Sequence, residues 1–276
     1  MKRLNLLAVV LFLGTATMAQ NHSTIQLTKG KNYQIMSTAT TESKTNYQGQ
    51  NMETKIDVKT VYNMEVADVA NGQYKVNNTL KSVKMSMNQM GMDLKYDSDD
   101  SADASSPLAE GFSSILNKTK SLTLDNGGNV VKDVATAKDA QESAVMEQLA
   151  GSGFGTEEAL VALPVNVKAG DTWTTTTGDT TGTLRVTHYT VKSVENNVVN
   201  LDYTGEAKTS VSMESQGMQV QTKTSGTFSG NAVVEKSTGI VQSSRSIAKA
   251  TGNIEAMGME MPTETNVTTE TTVKEL

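Results

Sequence analysis

Two histidines, His22 and His188, and no cysteine make up the imidazole and thiol chemistry of this 276-residue chain. Without cysteine there is no thiolate metal site, no cysteine nucleophile and no disulfide framework. A zinc or copper centre needs several imidazole or thiolate donors, and these two distant histidines do not supply them. The serines include no Gly-x-Ser-x-Gly elbow. The acidic run "DSDDSAD" puts carboxylates at Asp97, Asp99, Asp100 and Asp103. Such spacing resembles a calcium loop, but Ala102 stands where that loop has its glycine and Leu108 where it has its bidentate glutamate. The run reads instead as a solvated loop that caps the following helix. These residue types predict no catalytic residue, no metal, no cofactor and no enzyme.

Methionine is the other chemical feature. There are 15, and three stretches repeat one pattern: "MNQMGMDL", "MESQGMQV" and "IEAMGMEM". Flexible thioethers fill cores or line adaptable apolar surfaces. They also bind Cu(I), but here they are spread over three separate hairpins, so no copper site is read from them. Each Gly-Met reads first as a turn. With Asn88–Gly91 as a four-residue loop, Met87 faces Met92, Met85 faces Leu94 and Val83 faces Tyr96, all on one face. A three-residue loop would scramble the faces, because strand side chains alternate with period two.

The same plan places Glu214–Gly217 between Met213 and Met218, and Glu255–Gly258 between Ile254 and Met259. Loops Asn46–Gly49 and Asp179–Gly182 extend it, setting Tyr33 opposite Tyr62 and Trp173 opposite an inward-facing His188. "VANGQY" and "VENNVV" fit three-residue connections that pair Val66 with Val76 and Val191 with Leu201. "LTLDNGGNVV" and "VVEKSTGIVQ" read as two more hairpins. The expected lining of an apolar site is therefore Tyr33, Tyr62, Met85, Met87, Met92, Trp173, His188, Met213 and Met218.

The elements that must position these residues fall into two similar sets. "KGKNYQI" resembles "AGDTWTT", "VYNMEV" resembles "HYTVKSV", and the turns then follow in the same order, which suggests an internal repeat. Residues 1–19 read as a signal peptide, 20–134 as one β-meander, 135–164 as a helical connector and 165–276 as a second meander, the two meanders being compatible with one continuous domain. Helices are expected after Ser106-Pro107, from Thr136 to Gly151, and from Thr156 to Pro164. The fold class is mainly β: a long antiparallel, internally duplicated hairpin meander, curved into a half-barrel or barrel-like sheet, with two to three helices inserted mid-chain. The polar final stretch "TETNVTTETTVKEL" suits a solvent edge.

Lys2 and Arg3, the apolar run Leu4–Leu13 and the small residues before Gln20 form a secretory signal, too short to span a bilayer. The chain is expected to be exported, to the periplasm or outside the cell. No integral span is expected to remain after cleavage. Taking Lys2 and Arg3 from 24 basic residues leaves 22 against 30 acidic ones, a net of −8. That balance disfavours nucleic acid as partner.

The signal ending "MAQ", the Tyr- or Trp-led first strands after "KG" and "AGD", and "LPVNVKAGDTW" resemble an uncharacterised family of exported Bacteroidota β-rich proteins. More distantly the layout is similar to the LolA-type lipoprotein carriers. That resemblance implies a curved antiparallel half-barrel with helices over an apolar concavity that carries acyl chains. The expected function is an exported, non-enzymatic binding protein for a lipid, acyl chain or hydrophobic segment, with a lipid or lipoprotein as partner. The alternative is a cell-envelope structural or protein-interaction module without a small-molecule ligand.

Overall fold

A computed structural model describes residues 23–47, 49–89, 91–113, 115–131, 156–178, 182–215, 218–256 and 258–276. In the N-terminal part, β1 (Ser23–Thr24) is followed by β2 (Asn32–Tyr47), β3 (Gln50–Ala70), β4 (Gln73–Gln89) and β5 (Met92–Asp97). Helix α1 (Pro107–Ser113) then precedes β6 (Thr119–Leu124). The remainder is β7 (Leu163–Pro164), β8 (Thr172–Gly178), β9 (Thr183–Glu195), β10 (Val198–Ser215), β11 (Met218–Glu235), β12 (Val241–Ala256) and β13 (Met259–Glu275). Eleven of these strands form one antiparallel sheet in the order β5-β4-β3-β2-β13-β12-β11-β10-β9-β8, with β6 also beside β4. The sheet is open, with β8 at one edge and β5 and β6 at the other. Strands β1 and β7 pair separately as a two-stranded clasp.

Thr, Val and alternating apolar residues suit long pleated strands, but turn geometry differs from the four-residue expectation. Tyr47 pairs with Gln50, Gln89 with Met92, Ser215 with Met218 and Ala256 with Met259. Each loop is therefore two residues long and ends on glycine, with φ of 84° at Gly49 and 80° at Gly91. Short turns with positive φ match the twist of the flanking strands. The shift is by two positions, so faces are kept and partners move one step: Met87 meets Leu94, and Tyr62 meets Ile35.

The fifth loop departs by one position. Gly178, at φ 77°, takes the left-handed conformation that sequence assigned to Gly182, and it pairs with Leu184. Trp173 therefore pairs with Tyr189, and Thr174 with His188. An odd shift reverses the face, so His188 points away from Trp173.

The two meanders begin alike. Gly30 N donates to Val66 O, and Val66 N to Lys31 O; Gly170 N donates to Val191 O, and Val191 N to Asp171 O. Val66 pairs with Val76 and Val191 with Leu201, as the sequence led one to expect. The connections, however, are two-residue turns at Asn71-Gly72 and Asn196-Asn197, and a bulge in each ladder absorbs the odd residue. On β4, the short β5 and β6 together occupy the position that β11 fills alone along β10. The segment holding α1 interrupts that strand in the first meander.

Two further expectations are corrected. Strand β13 pairs with both β2 and β12 at the middle of the sheet. Its Glu and Lys residues alternate outward, while inward Thr263, Thr269 and Thr271 are buried. Among the described residues α1 is the only α-helix; Thr156–Ala159 is a single 3-10 turn leading into extended chain at Leu163. Leu160 bridges to Ile240, and Val161 N donates to Gly239 O, so backbone pairing with the sheet replaces helical bonding there. The helix expected from Thr136 to Gly151 lies outside the described residues.

Candidate ligand-binding face

All described long-hairpin turns ending in Gly49, Gly91 and Gly258 lie at one end of the sheet, called here the tip. The turns at Asn71-Gly72, Asn196-Asn197 and 236–239 lie at the base. One face of the base is sealed. Ile25 and Leu27, together with Ala159, Leu160 and Ala162, pack on Tyr33, Ile35, Met64, Val66, Val76 and Leu124. Val161, Leu163 and Val167 cover Val191, Leu201, Val234 and Val241 in the other half. This is the inner face. Burial of these large apolar side chains, roughly 1.5–3 kcal/mol each, is what holds the base together.

Toward the tip the inner face opens. In the N-terminal half Val58 pairs with Met85, Ile56 with Met87, and Met87 with Leu94. Val58 is buried, Ile56, Met85 and Met87 are half-buried, and Leu94 and Met92 reach 40% and 65% exposure. Tyr96, opposite Met85, stacks on Phe112 at 5.2 Å between ring centroids and an interplanar angle of 7°. That stack anchors α1 to the edge of the sheet.

The C-terminal half carries a row of aromatic side chains. Trp173 stacks on Tyr189 at 4.9 Å, Tyr189 meets Tyr203 at 5.9 Å, and Tyr203 meets Phe228 at 6.3 Å. The Arg185 guanidinium sits 4.0 Å from the Phe228 ring centroid and 3.6 Å from Glu158. Burial, with Glu158 nearby, pushes the Tyr203 hydroxyl up to about 12. The neighbours of these rings are small: a Cβ on Gly205 would stand 2.3 Å from Phe228 Cζ, and one on Gly230 would stand 2.6 Å from Tyr203 Cζ. Aromatic rings covering cross-strand glycines stabilise such positions.

Two depressions of this half lie on the opposite, outer face. One open hollow of about 400 Å³ is lined by His188, Glu206 and Lys249 among others, and a second of about 370 Å³ by Lys208, Lys223 and Thr251. Both are floored in part by glycine, Gly205 in the first and Gly252 in the second.

The residues expected to line a single apolar site are therefore distributed. Tyr33 and Tyr62 are enclosed in the base core, at 4% and 6% exposure. Met85 and Met87 lie at its open margin, and Met92 lies on the edge strand. Trp173 belongs to the aromatic row of the other half. His188 is exposed on the outer face, with Nδ1 2.8 Å from Thr174 Oγ1. Met213 and Met218 pair in register with Val220 and Ser215; their side chains lie outside the description.

Tyr189, Tyr203, Phe228 and Arg185 did not stand out in sequence. Alternation alone puts Tyr203, Gly205 and Ala207 on one face, but the Trp–Tyr–Tyr–Phe row needs the observed register. The spacing Ser246-x-x-Lys249 carries no nucleophile and base, since residues three apart on β12 point to opposite faces. In the acidic run, Asp100 accepts from Ala102 N at 2.9 Å, and Asp97 pairs with Lys84 at 2.8 Å. The lysine holds the Asp97 carboxyl below its usual range, and the bond from Asp99 N adds to this. These carboxylates order a turn.

Residues 71–241, more than half of the chain, match the family of unknown function DUF6263. The chain belongs to that family. None of the curated proteins matches it in sequence. Among solved structures it is similar to lipovitellin, from a study of lipid–protein interactions, with a TM-score of 0.52 and 13% identity. The likeness covers 90% of this chain and 25% of lipovitellin, so the chain spans about a quarter of that protein, and it concerns fold alone. An outer membrane channel from Pseudomonas putida F1 aligns over 91% of this chain and 97% of its own, at 8% identity and a TM-score of 0.28. That score is too low for an architectural comparison. Among the described residues no helix is long and apolar enough to cross a membrane.

Proposed function

We propose that this is an exported, non-enzymatic binding protein that holds a lipid, acyl chain or hydrophobic segment of a protein against the inner face of its open sheet. The two meanders are copies of one ancestral unit, and the first has diverged to carry the site. One observation carries the reading: beyond the sealed base, Ile56, Met85, Met87 and Leu94 form an apolar row on the inner face that remains partly exposed. A row of unbranched thioethers beside β-branched residues suits a flexible apolar chain, because Met repacks without a rotamer penalty. The lipovitellin likeness agrees in fold with a sheet that holds lipid, and fold alone does not assign function.

Native mass spectrometry of the chain purified from its own exported fraction tests this. Co-purifying amphiphile is expected on the wild type and is lost from Met87→Asp, which places a charge in the row. A wild-type protein that is free of lipid and captures a partner only through polar contacts would sink the reading.

A further inference from the structure

Three buried polar atoms on the inner face of the N-terminal half have no hydrogen-bond partner: Thr60 Oγ1, Tyr62 OH and Asn78 Oδ1. Thr60 and Tyr62 are two residues apart on β3 and face the same way, while Asn78 stands opposite Met64, one inward pair further toward the base. Thr60 is fully buried and Tyr62 nearly so. Folded proteins rarely leave such groups unpaired. Two neighbouring inward polar groups are bonded. Ser37, opposite Thr60, bonds Thr271 Oγ1 at 3.0 Å, and Asn78 Nδ2 donates to Thr156 Oγ1.

The apolar row leads to these atoms. From Met52 at the tip, the inward positions of β3 run through Ile56 and Val58 to Thr60, roughly 27 Å of strand. Met87 and Met85 flank that path on β4. A chain lying along it would bring one end to the Thr60 and Tyr62 hydroxyls. The charge of that end follows from its surroundings. On the inward register of β2 to β6 the basic residue is Lys120, which is exposed on the edge strand β6 opposite Asn78. Burial alone accounts for the raised Tyr62 hydroxyl, with no charge contributing. Among the described residues of these strands no buried cation faces Thr60 and Tyr62, so an anionic head there would be costly. An uncharged head needs only donors and an acceptor.

We infer that Thr60 and Tyr62 receive the uncharged, hydroxyl- or amide-bearing head of a single-chain amphiphile, whose tail lies along Val58, Met85, Ile56 and Met87. This rests on the function proposed above and names its ligand class.

The test uses the full mature chain stripped of lipid, with 1-monooleoylglycerol as the uncharged probe and oleate as the charged one, at neutral pH. Binding of the glycerol ester is expected to be at least tenfold tighter than that of oleate. Tyr62→Phe and Thr60→Val should each weaken it at least fivefold. The same variants, without ligand, should unfold at a higher urea concentration than the wild type, because each deletes an unpartnered buried hydroxyl. Oleate bound as tightly as the ester, with no loss in Tyr62→Phe, overturns the head assignment and leaves the apolar row standing. Binding of neither probe overturns both. A lower urea midpoint in both variants means that the hydroxyls are satisfied by buried water, and it too overturns the assignment.

Discussion

The two halves of the sheet share a ladder plan but differ in side-chain size. Strands β2 to β6 contain no glycine, and their inner face carries Met64, Tyr62, Val83 and Met85. Strands β10 to β12 contain Gly205, Gly226, Gly230 and Gly252, and between them Ala207, Ala248 and Ala250 face inward. A Cβ on Gly226 would stand 2.2 Å from Lys249 O, and one on Gly230 would stand 2.3 Å from Arg245 O, so the neighbouring backbone occupies that space. Such glycines bend strands, and the open hollows lie on the outer face of these same strands. The halves thus place their space differently. An apolar row stays partly exposed on the inner face at the N-terminal tip, whereas two open hollows lie on the outer face of the glycine-bearing strands.

Glycine substitution gives the largest expected contrast. Gly230→Val in the C-terminal half should cost about 3 kcal/mol or more, since backbone cannot retreat from the added carbons. Gly91→Ala at the N-terminal tip has nothing within 4 Å of the new Cβ and should cost only roughly 1–2 kcal/mol, from its φ of 80°. Urea unfolding of the two variants measures both, and equal losses would mean that the bends do not distinguish the halves.

Alkaline pH should reveal one buried tyrosine in each half. Burial raises both Tyr62 and Tyr203 to about 12 from 10.0. The folded-state value lies above the unfolded one, so the stabilisation is whole below pH 10. It is lost as pH rises from 10 toward 12, where the unfolded chain has released protons that the folded chain retains. Each hydroxyl accounts for about 3 kcal/mol over that window. Tyr62→Phe and Tyr203→Phe should each flatten the fall by a similar amount; a flattening in one variant alone would show that only that half is closed to water.

The smallest effect is local to the C-terminal half. Arg185→Met removes a partly exposed cation from the Phe228 face and a loose pair with Glu158, and should lower stability by roughly 1 kcal/mol. Emission from Trp173, the chain's single tryptophan, follows that loss. Because β2 and β13 join the halves into one sheet, its transition should coincide with that of far-ultraviolet circular dichroism.

How far the fold was legible depends on parity. Apolar alternation placed Met85, Met87, Leu94 and Tyr96 on one face, and that face is the inner one. It could not separate a two-residue loop from a four-residue loop, because both keep the faces. At the β8–β9 hairpin no such protection exists: "TTTTGDTTGT" is nearly uniform in polarity, so a one-residue slip went undetected and reversed His188. Strand β13 reads as an edge because nearly all of its second half is polar, yet its inward Thr263, Thr269 and Thr271 are buried between β2 and β12. The segment from Thr156 has helix-forming residues, but tertiary pairing with Gly239 and Ile240 overrides that propensity.

Spacing named Met85, Met87 and Tyr62 for an apolar lining, whereas the unpartnered state of Tyr62 and Thr60 depends on what fails to approach them. The turns follow in the same order in both halves, and the backbone bonds at Gly30 and Gly170 are alike. Sequence by itself determined which residues share a strand face and where the chain turns, since both follow from local periodicity and from backbone conformations open to few residues. The tertiary structure alone decided strand order, exact register and the central place of β13. Those depend on pairings between residues more than two hundred positions apart, such as Ser37 with Thr271, and no local pattern encodes such a choice.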